Sequence, residues 1–469
     1  MTQTVQKIEN QSKTNFTSSN GAKLSRMNRD RQKKHRREKW TDDLDRVGEF
    51  WLAVGSCSVE TDCATSYHAL WCQWWMNSLQ EKTMGHKKSP VRIGLLYSDT
   101  GVTSVIETHQ RNAALLAIEE INQDGGLLGQ EFLFSGDDTC SNPVAFRAEA
   151  ERLILEDKVD ALFGCYMSSC RKAVLPPVSA NKSMLFYPTH YEGFEYAQGC
   201  IYSGAAPNQN AKWLADFMTQ NYGRRYFFVG SNYVFPYEIN SLMRDLLSNR
   251  GADVVDEVYV PLAASRSDID NVIARIKQNG PVIIFSTMVG KSAVDFYKAY
   301  DKAGFDRTKS PICSVTAGEL EMAAIGKDAA EGNIKVAPYF SVIQNDVNQR
   351  FVSNYRERFG ADEALCAECE AAYFQIKLFA EAAKQVGTTE REALMRVLPT
   401  VSVDAPQGMV RVDATTNHTL LWPRVAIANA QGQFEIVREA SEPVIPSPYL
   451  MQLDDPGDIP YTDLMEKGR

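Results

Sequence analysis

VRIGLLY, Val91 to Tyr97, is a short and almost wholly apolar run. A strand covered by helices on both faces of a parallel sheet reads this way, whereas a half-solvated antiparallel strand alternates apolar with polar residues. Forward of it a helix is expected from about Thr108, with Ala113, Leu116, Ala117 and Ile121 at helical spacing and Gly125–Gly126 as its stop. The alternation repeats as strand 130–135, helix 143–156, strand 160–164, helix 169–180 and strand 183–187. That is the grammar of a doubly wound α/β unit.

A second series starts after Pro207, with a helix at 209–221 and then strand 225–230, helix 237–249, strand 253–260, helix 267–278, strand 281–286, helix 291–302 and strand 311–315. Two similar sheets are therefore predicted, in keeping with 469 residues, a length that exceeds what one core usually supports. Beyond Gly332 a strand (IKVAPYF) and helices at 347–358 and 367–385 are assigned to a return into the first unit. The predicted division is residues 90–206 with 336–405 in lobe 1, 207–335 with 406–450 in lobe 2, and 451–469 as a tail.

Residues 1–83 read differently. Five of the seven tryptophans and three cysteines fall there without any helical or strand period. The basic run Arg29 to Lys39 reads as a solvated tail or a nucleic-acid arm, and Met84 stands just before the first strand as an alternative start. The segment is expected to be an unstructured or mis-called extension. VGSC, Val54 to Cys57, loosely resembles a lipoprotein cleavage box, but acidic residues precede it, which is the wrong charge order for an export signal.

With 44% hydrophobic and 23% charged residues the composition is that of a globular protein, and a net charge of −9 gives no overall attraction to nucleic acid or anionic lipid. No stretch reaches the roughly 18 apolar residues of a spanning helix. The ten cysteines are scattered and read as reduced thiols of a cytoplasmic protein. Cys366 and Cys369 form one CxxC, without the second Cys or His pair that zinc needs.

Catalytic motifs are missing. Gly290-Lys291-Ser292 ends like a phosphate loop, but Phe285 stands where GxxxxGK[ST] requires glycine. The Gly125–Gly129 run follows a helix and precedes a strand, the reverse of the dinucleotide order. No GxSxG elbow and no HxxxH spacing occurs, and Cys165 at a strand end has no base evident beside it. Neither an enzyme activity, a metal nor a cofactor is expected.

In open α/β sheets ligands sit beyond the carboxyl ends of the strands. Those ends carry Tyr166 and Ser168, Tyr187 and Thr189, and Tyr233 and Phe235. A primary amide has one acceptor oxygen and a two-hydrogen donor nitrogen, which suits neutral hydroxyls that both give and accept. No charged residue lies within the three tripeptides Tyr166-Met-Ser, Tyr187-Pro-Thr and Tyr233-Val-Phe, so a neutral ligand is expected.

These strand ends also carry a resemblance. GCYMSSCRKAVLPPV (164–178), FYPTHYEGFEY (186–196), GAAPNQN (204–210), FVGSNYVFPYE (228–238), FSTMVG (285–290), VAPYF (336–340) and DAPQGMVRV (404–412) resemble the amide-sensing negative regulators of aliphatic amidase operons, over about Pro90 to Tyr449. GC-x-x-S-x-x-RKAVLP and YP-x-x-YEG-x-E are shared with urea and short-chain amide receptors of ABC importers. The resemblance implies a two-lobed α/β fold of the type I periplasmic-binding-protein-like kind, each lobe a doubly wound parallel sheet with the ligand cleft between. It implies that Ser168 and Thr189 hydrogen-bond the amide, that Tyr233 reaches it from the second lobe, and that Tyr166 and Tyr187 wall the site. Three positions depart from the family pattern and bear on which amide is held. His190 replaces a proline, Asn232 an aspartate, and Phe235 a tyrosine.

The function so implied is a cytoplasmic sensor of a small neutral amide that controls an RNA-binding antiterminator, without touching nucleic acid or membrane itself, as a monomer or a homo-oligomer. The alternative is the substrate-binding receptor of an importer for urea or short amides, acting in the periplasm.

Overall fold

The computed structural model describes residues 90–450 and 460–464, so the expectations for residues 1–83 lie outside the described residues. The first sheet has five parallel strands, β1 (Val91–Leu96), β2 (Phe132–Ser135), β3 (Ala161–Gly164), β4 (Leu185–Tyr187) and β5 (Cys200–Tyr202), in the order β2-β1-β3-β4-β5. Between them run α1 (Ser104–Gln123), α2 (Pro143–Leu155) and α3 (Ser168–Ala180). The start of α2 is set locally: Asn142 accepts from the amides of Val144 and Ala145, and Pro143 occupies the first helical position, where no amide is needed.

The chain continues through α4 (Ala211–Asn221), β6 (Arg225–Ser231), α5 (Val234–Ser248), β7 (Asp253–Val260), α6 (Arg266–Asn279), β8 (Ile283–Thr287), α7 (Gly290–Lys302), β9 (Ile312–Ser314), α8 (Glu319–Ile325), α9 (Lys327–Ala330) and β10 (Ile334–Ala337). Helices α10 (Asp346–Phe359), α11 (Ala367–Val386) and α12 (Arg391–Val397) follow, then β11 (Ser402–Ala405), β12 (Gly408–Val412), β13 (Thr419–Leu420), β14 (Arg424–Ala428), β15 (Phe434–Ala440) and β16 (Tyr461–Asp463). The second sheet is ordered β16-β15-β14-β10-β9-β8-β6-β7, parallel from β10 to β7 and antiparallel at β14, β15 and β16.

Three assignments differ from the sequence expectation. Strand β10 belongs to the second sheet, pairing Ile334 with Cys313 of β9 and with Ile427 of β14. The chain returns to the first lobe only afterwards, where α10 and α11 pack on α1 and Phe379 of α11 meets the stacked pair Phe163–Phe186 edge-on, at 5.5 and 5.9 Å. Residues 408–420 form a separate three-stranded sheet with β11, against α11, and do not lie on lobe 2. Within the expected tail, Tyr461–Asp463 adds an edge strand to β15.

The chain therefore passes between the lobes three times, after β5, after β10 and after β13. Arg424 stitches these passages together, donating to the carbonyls of Pro338 at 2.6 Å, Gln407 at 3.0 Å and Trp422 at 3.1 Å. Gln209 does the same at the other edge, donating to the carbonyls of Thr419 and Val444. Hydrogen bonds from a charged donor are the stronger ones, and here they join segments distant in sequence. Among the described residues no helix is long and apolar enough to cross a membrane.

Candidate functional site

The turn after β3 is shaped by backbone geometry. Gly164 has φ +138°, and a Cβ there would stand 2.2 Å from the carbonyl oxygen of Leu96, so only glycine fits. Cys165 follows with φ +69°, and this pair of conformations turns Tyr166, Met167 and Ser168 out of the sheet to start α3. All three are buried.

Opposite them, at the end of β6, stand Tyr233 and Phe235 of the second lobe. Phe235 meets the ring of His190 edge-on at 5.2 Å. Burial first, and then the neighbouring Tyr233 and Glu368, raise the Tyr166 phenol well above its ordinary value; burial and then Tyr187 do the same to Tyr233. The Tyr166 and Tyr233 phenols, one from each lobe, are thus electrostatic neighbours.

The other hydroxyls are engaged within the chain. Ser168 donates to Glu192 at 2.6 Å and accepts from Arg171 at 3.1 Å. Thr189 donates to the carbonyl of Cys165 at 3.2 Å and accepts from Gln110 at 3.1 Å. Tyr187 donates to the carbonyl of Tyr166 at 3.0 Å. Ser168, expected to hold a ligand, belongs to an ion network in this structure, with a carboxylate 24 residues away as the partner of its hydroxyl.

That network explains the RKAVLP and YEGFE motifs. Arg171 is fully buried and pairs with Glu192 at 2.9 Å and Glu195 at 2.8 Å, under the rings of Tyr187 and Tyr191 at 4.7 and 4.9 Å. Tyr202 donates to Glu195 at 2.9 Å, and its ring stacks on His418 at 4.2 Å. A guanidinium taken out of water is tolerable only with partners on all sides, and these residues supply them.

Charged groups that the tripeptides did not disclose close the site. Glu319 and Glu321 stand at the start of α8, Lys335 lies inside β10, and Glu368 is in the first turn of α11. Lys335 is buried and donates to the carbonyl of Thr316 at 3.3 Å. Burial pushes Glu319 up to about 7 against the pull of Lys335. Burial pushes Glu368 up as well, but Lys335 and His190, whose Nδ1 is 2.8 Å from the carboxylate, outweigh it and hold Glu368 at about 2. A charge inside an otherwise apolar strand was the available signal for Lys335, since buried lysines are rare. Glu319 lies just past β9, so the strand-end rule that found the tyrosines also reaches it.

Beside His190 a narrow cavity is bounded by Ser203, Asn210, Val336, Pro338 and Glu368. Three enclosed polar atoms on its lining have no partner: the Ser203 hydroxyl, the Asn210 Nδ2 and the Glu368 Oε2. The Glu319 Oε2 is likewise enclosed and unpartnered. A buried donor or acceptor without a partner costs about 1–3 kcal/mol, and the space beside the first three, about 10 Å³, has the size of a single water in this conformation.

Comparison with known proteins agrees with the fold. A solute-binding protein of an ABC transporter from R. palustris, in complex with benzoate, superposes with a TM-score of 0.69 at 19% identity, covering 76% of this chain and 98% of that one. Leu/Ile/Val-binding protein homolog 7 of Brucella melitensis biotype 1 is 20% identical over 336 residues, 67% of this chain and 82% of that protein. Limonene hydroxylase of Geobacillus stearothermophilus is 25% identical over 126 residues, and this match spans only 23% of that protein. The model of the periplasmic binding protein domain family matches residues 91–455. Two α/β lobes joined by three passages, with strand ends facing across a cleft, are thus the family's own architecture in this chain, which belongs to the periplasmic binding protein domain family.

Proposed function

We propose that this chain is a solute receptor that closes its two lobes over a short neutral amide or urea, binding it without catalysis. The observation that carries the reading is the unpartnered set Asn210 Nδ2, Ser203 Oγ and Glu368 Oε2 around one cavity. The cavity, about 10 Å³ in this conformation, must widen to admit an amide; the amide carbonyl oxygen then accepts from the asparagine, and the amide nitrogen donates to the carboxylate and the hydroxyl. A carboxylate ligand, such as the benzoate held by the R. palustris neighbour, would instead meet the Glu368 carboxylate, whose charge Lys335 and His190 already balance. The neutral ligand expected from the sequence is retained, though for a different reason: the surroundings are acidic and ask for N–H donors. Tyr166, Ser168, Tyr187, Thr189, Tyr233 and Phe235 do not line this cavity; in this reading Phe235 supports its His190 wall edge-on, and the others stand around the strand ends beyond it.

Relatives named as binding proteins and transporter solute receptors favour the importer role, with a periplasmic site of action, over the cytoplasmic amidase regulator and its antiterminator partner. Calorimetry with acetamide, propionamide, urea, acetate, benzoate and leucine tests the reading. Binding of the amides or urea at least tenfold tighter than acetate or benzoate supports it. Preference for a carboxylate or for leucine overturns it.

A further inference from the structure

We propose that Cys366 and Cys369 are a modification site, oxidised reversibly to an intramolecular disulfide by a low-molecular-weight disulfide that reaches them when the lobes part. The two residues are the CxxC of the sequence, folded as the N-cap and third residue of α11. Residues three apart on a helix have Cβ atoms roughly 5–6 Å apart, and a disulfide needs about 3.5–4.5 Å between them, a difference that the first turn of a helix can absorb. The sulfurs are already 2.9 Å apart, against about 2.05 Å for the bond. No other pair among the seven described cysteines is in sulfur–sulfur hydrogen-bonding contact.

A metal is not the reason for this pair, since no group of three or more His, Cys, Asp or Glu that could hold a metal ion is found among the described residues. Cys366 is the member nearer the meeting of the lobes: Tyr166 of the first lobe and Lys335 of the second lie within electrostatic reach of it, and Glu368, which His190 holds, falls between the two cysteines in sequence. Cys369 lies deeper, beside Tyr97 and Tyr355 of the first lobe. Both cysteines are buried, 1% and 0% exposed. Burial, and then the neighbouring Cys369, raise the Cys366 thiol well above its ordinary value, so it is a poor nucleophile until the cleft opens and water reaches it.

The step is a two-stage exchange. One cysteine thiolate attacks a sulfur of the reagent disulfide, forming a mixed disulfide and releasing one thiolate of the reagent. The second cysteine, after losing its proton, attacks the protein sulfur of that mixed disulfide, so the Sγ–Sγ bond forms and the second reagent thiolate leaves. Two protein thiols are oxidised and one reagent disulfide is reduced to two thiols. The new bond fixes the turn that carries Glu368.

The test incubates the full chain, folded, with glutathione disulfide, quenches by alkylation and maps the cysteines by mass spectrometry. Exposed Cys140 is the internal control and takes up glutathione. The expected product is a peptide with Cys366 linked to Cys369, about 2 Da lighter than the reduced one and restored by dithiothreitol. In Cys369→Ser, Cys366 can go no further than the mixed disulfide, so the linked peptide disappears. The proposal is overturned if Cys140 is modified while Cys366 and Cys369 are both recovered as free thiols, or if each carries its own glutathione. Access is tested with Gly290→Ala, in which the added methyl meets a backbone carbonyl of the opposite lobe. With folding verified by circular dichroism, oxidation should be several-fold faster than in the parent, and an equal or slower rate overturns entry through the cleft.

Discussion

Gly290, at the start of α7, lies so close to Val102 in the β1–α1 loop of the other lobe that a Cβ on it would be 2.4 Å from the Val102 carbonyl oxygen. The lobes meet backbone to backbone here, with no side chain that could yield. Gly290→Ala should therefore oppose closure. Its φ of +62° adds roughly 1–2 kcal/mol of left-handed strain for alanine, expected as a modest loss of Tm. The radius of gyration from small-angle scattering should rise, and ligand should bind at least tenfold more weakly. A variant as compact as the parent and binding as tightly would show that this contact does not limit closure.

Ser168→Ala is expected to act on stability. The substitution removes a donor from Glu192 and an acceptor from Arg171 in a buried network, a loss of about 1–3 kcal/mol. Arg171→Met should cost more, about 3–5 kcal/mol, because it strands Glu192 and Glu195 without their cation. Denaturant unfolding measures both. An unchanged midpoint for Ser168→Ala, combined with loss of ligand affinity, would restore the role that the sequence suggested for this hydroxyl.

The cavity set is separable by mutation. Asn210→Ala and Glu368→Gln each remove one partner from the ligand in the amide reading, and each should weaken amide binding by about one to two decades. Glu368→Gln should at the same time relieve the repulsion of carboxylates. If titration calorimetry finds acetate binding unchanged and amide binding intact in both variants, the ligand lies elsewhere in the cleft.

Closure should depend on pH through Glu319. Its carboxyl is at about 7 in the closed form and near its ordinary value of 4.5 once water enters. Between these values the closed form holds a proton that the open form has released. Ligand-free closure is therefore favoured toward the acid side, and the advantage is lost as pH rises through about 7. Scattering measured from pH 5 to 8 should show opening as pH rises, and Glu319→Gln should flatten the response.

Much of this was legible in the chain because parallel strands buried on both faces announce themselves as apolar runs, as in VRIGLLY and the runs before Gly164 and Gly290. The same property hid the placement of β10: IKVAPYF is equally suited to either sheet, and only its pairing with Cys313 and Ile427 decides. Tyr166, Tyr233 and Phe235 could be put forward as candidates because strand ends are read locally. Glu368 could not, since its tie to His190 spans 178 residues and has no local signature. Ser168 was placed correctly at the turn, but the partner of its hydroxyl is fixed by the fold and not by its neighbours in sequence.

The triple passage between the lobes has a consequence for how such a molecule can be divided. Neither lobe is a contiguous piece of gene: ending the chain after β5 leaves five strands without α11, and ending it after β10 strips lobe 1 of α10 and α11 and lobe 2 of β14 and β15 together. No single crossover between two genes can exchange one complete half of the cleft for another. New ligand preferences in such a scaffold must arise by substitution at the strand ends, residue by residue, while the waist held by Arg424 and Gln209 is inherited whole.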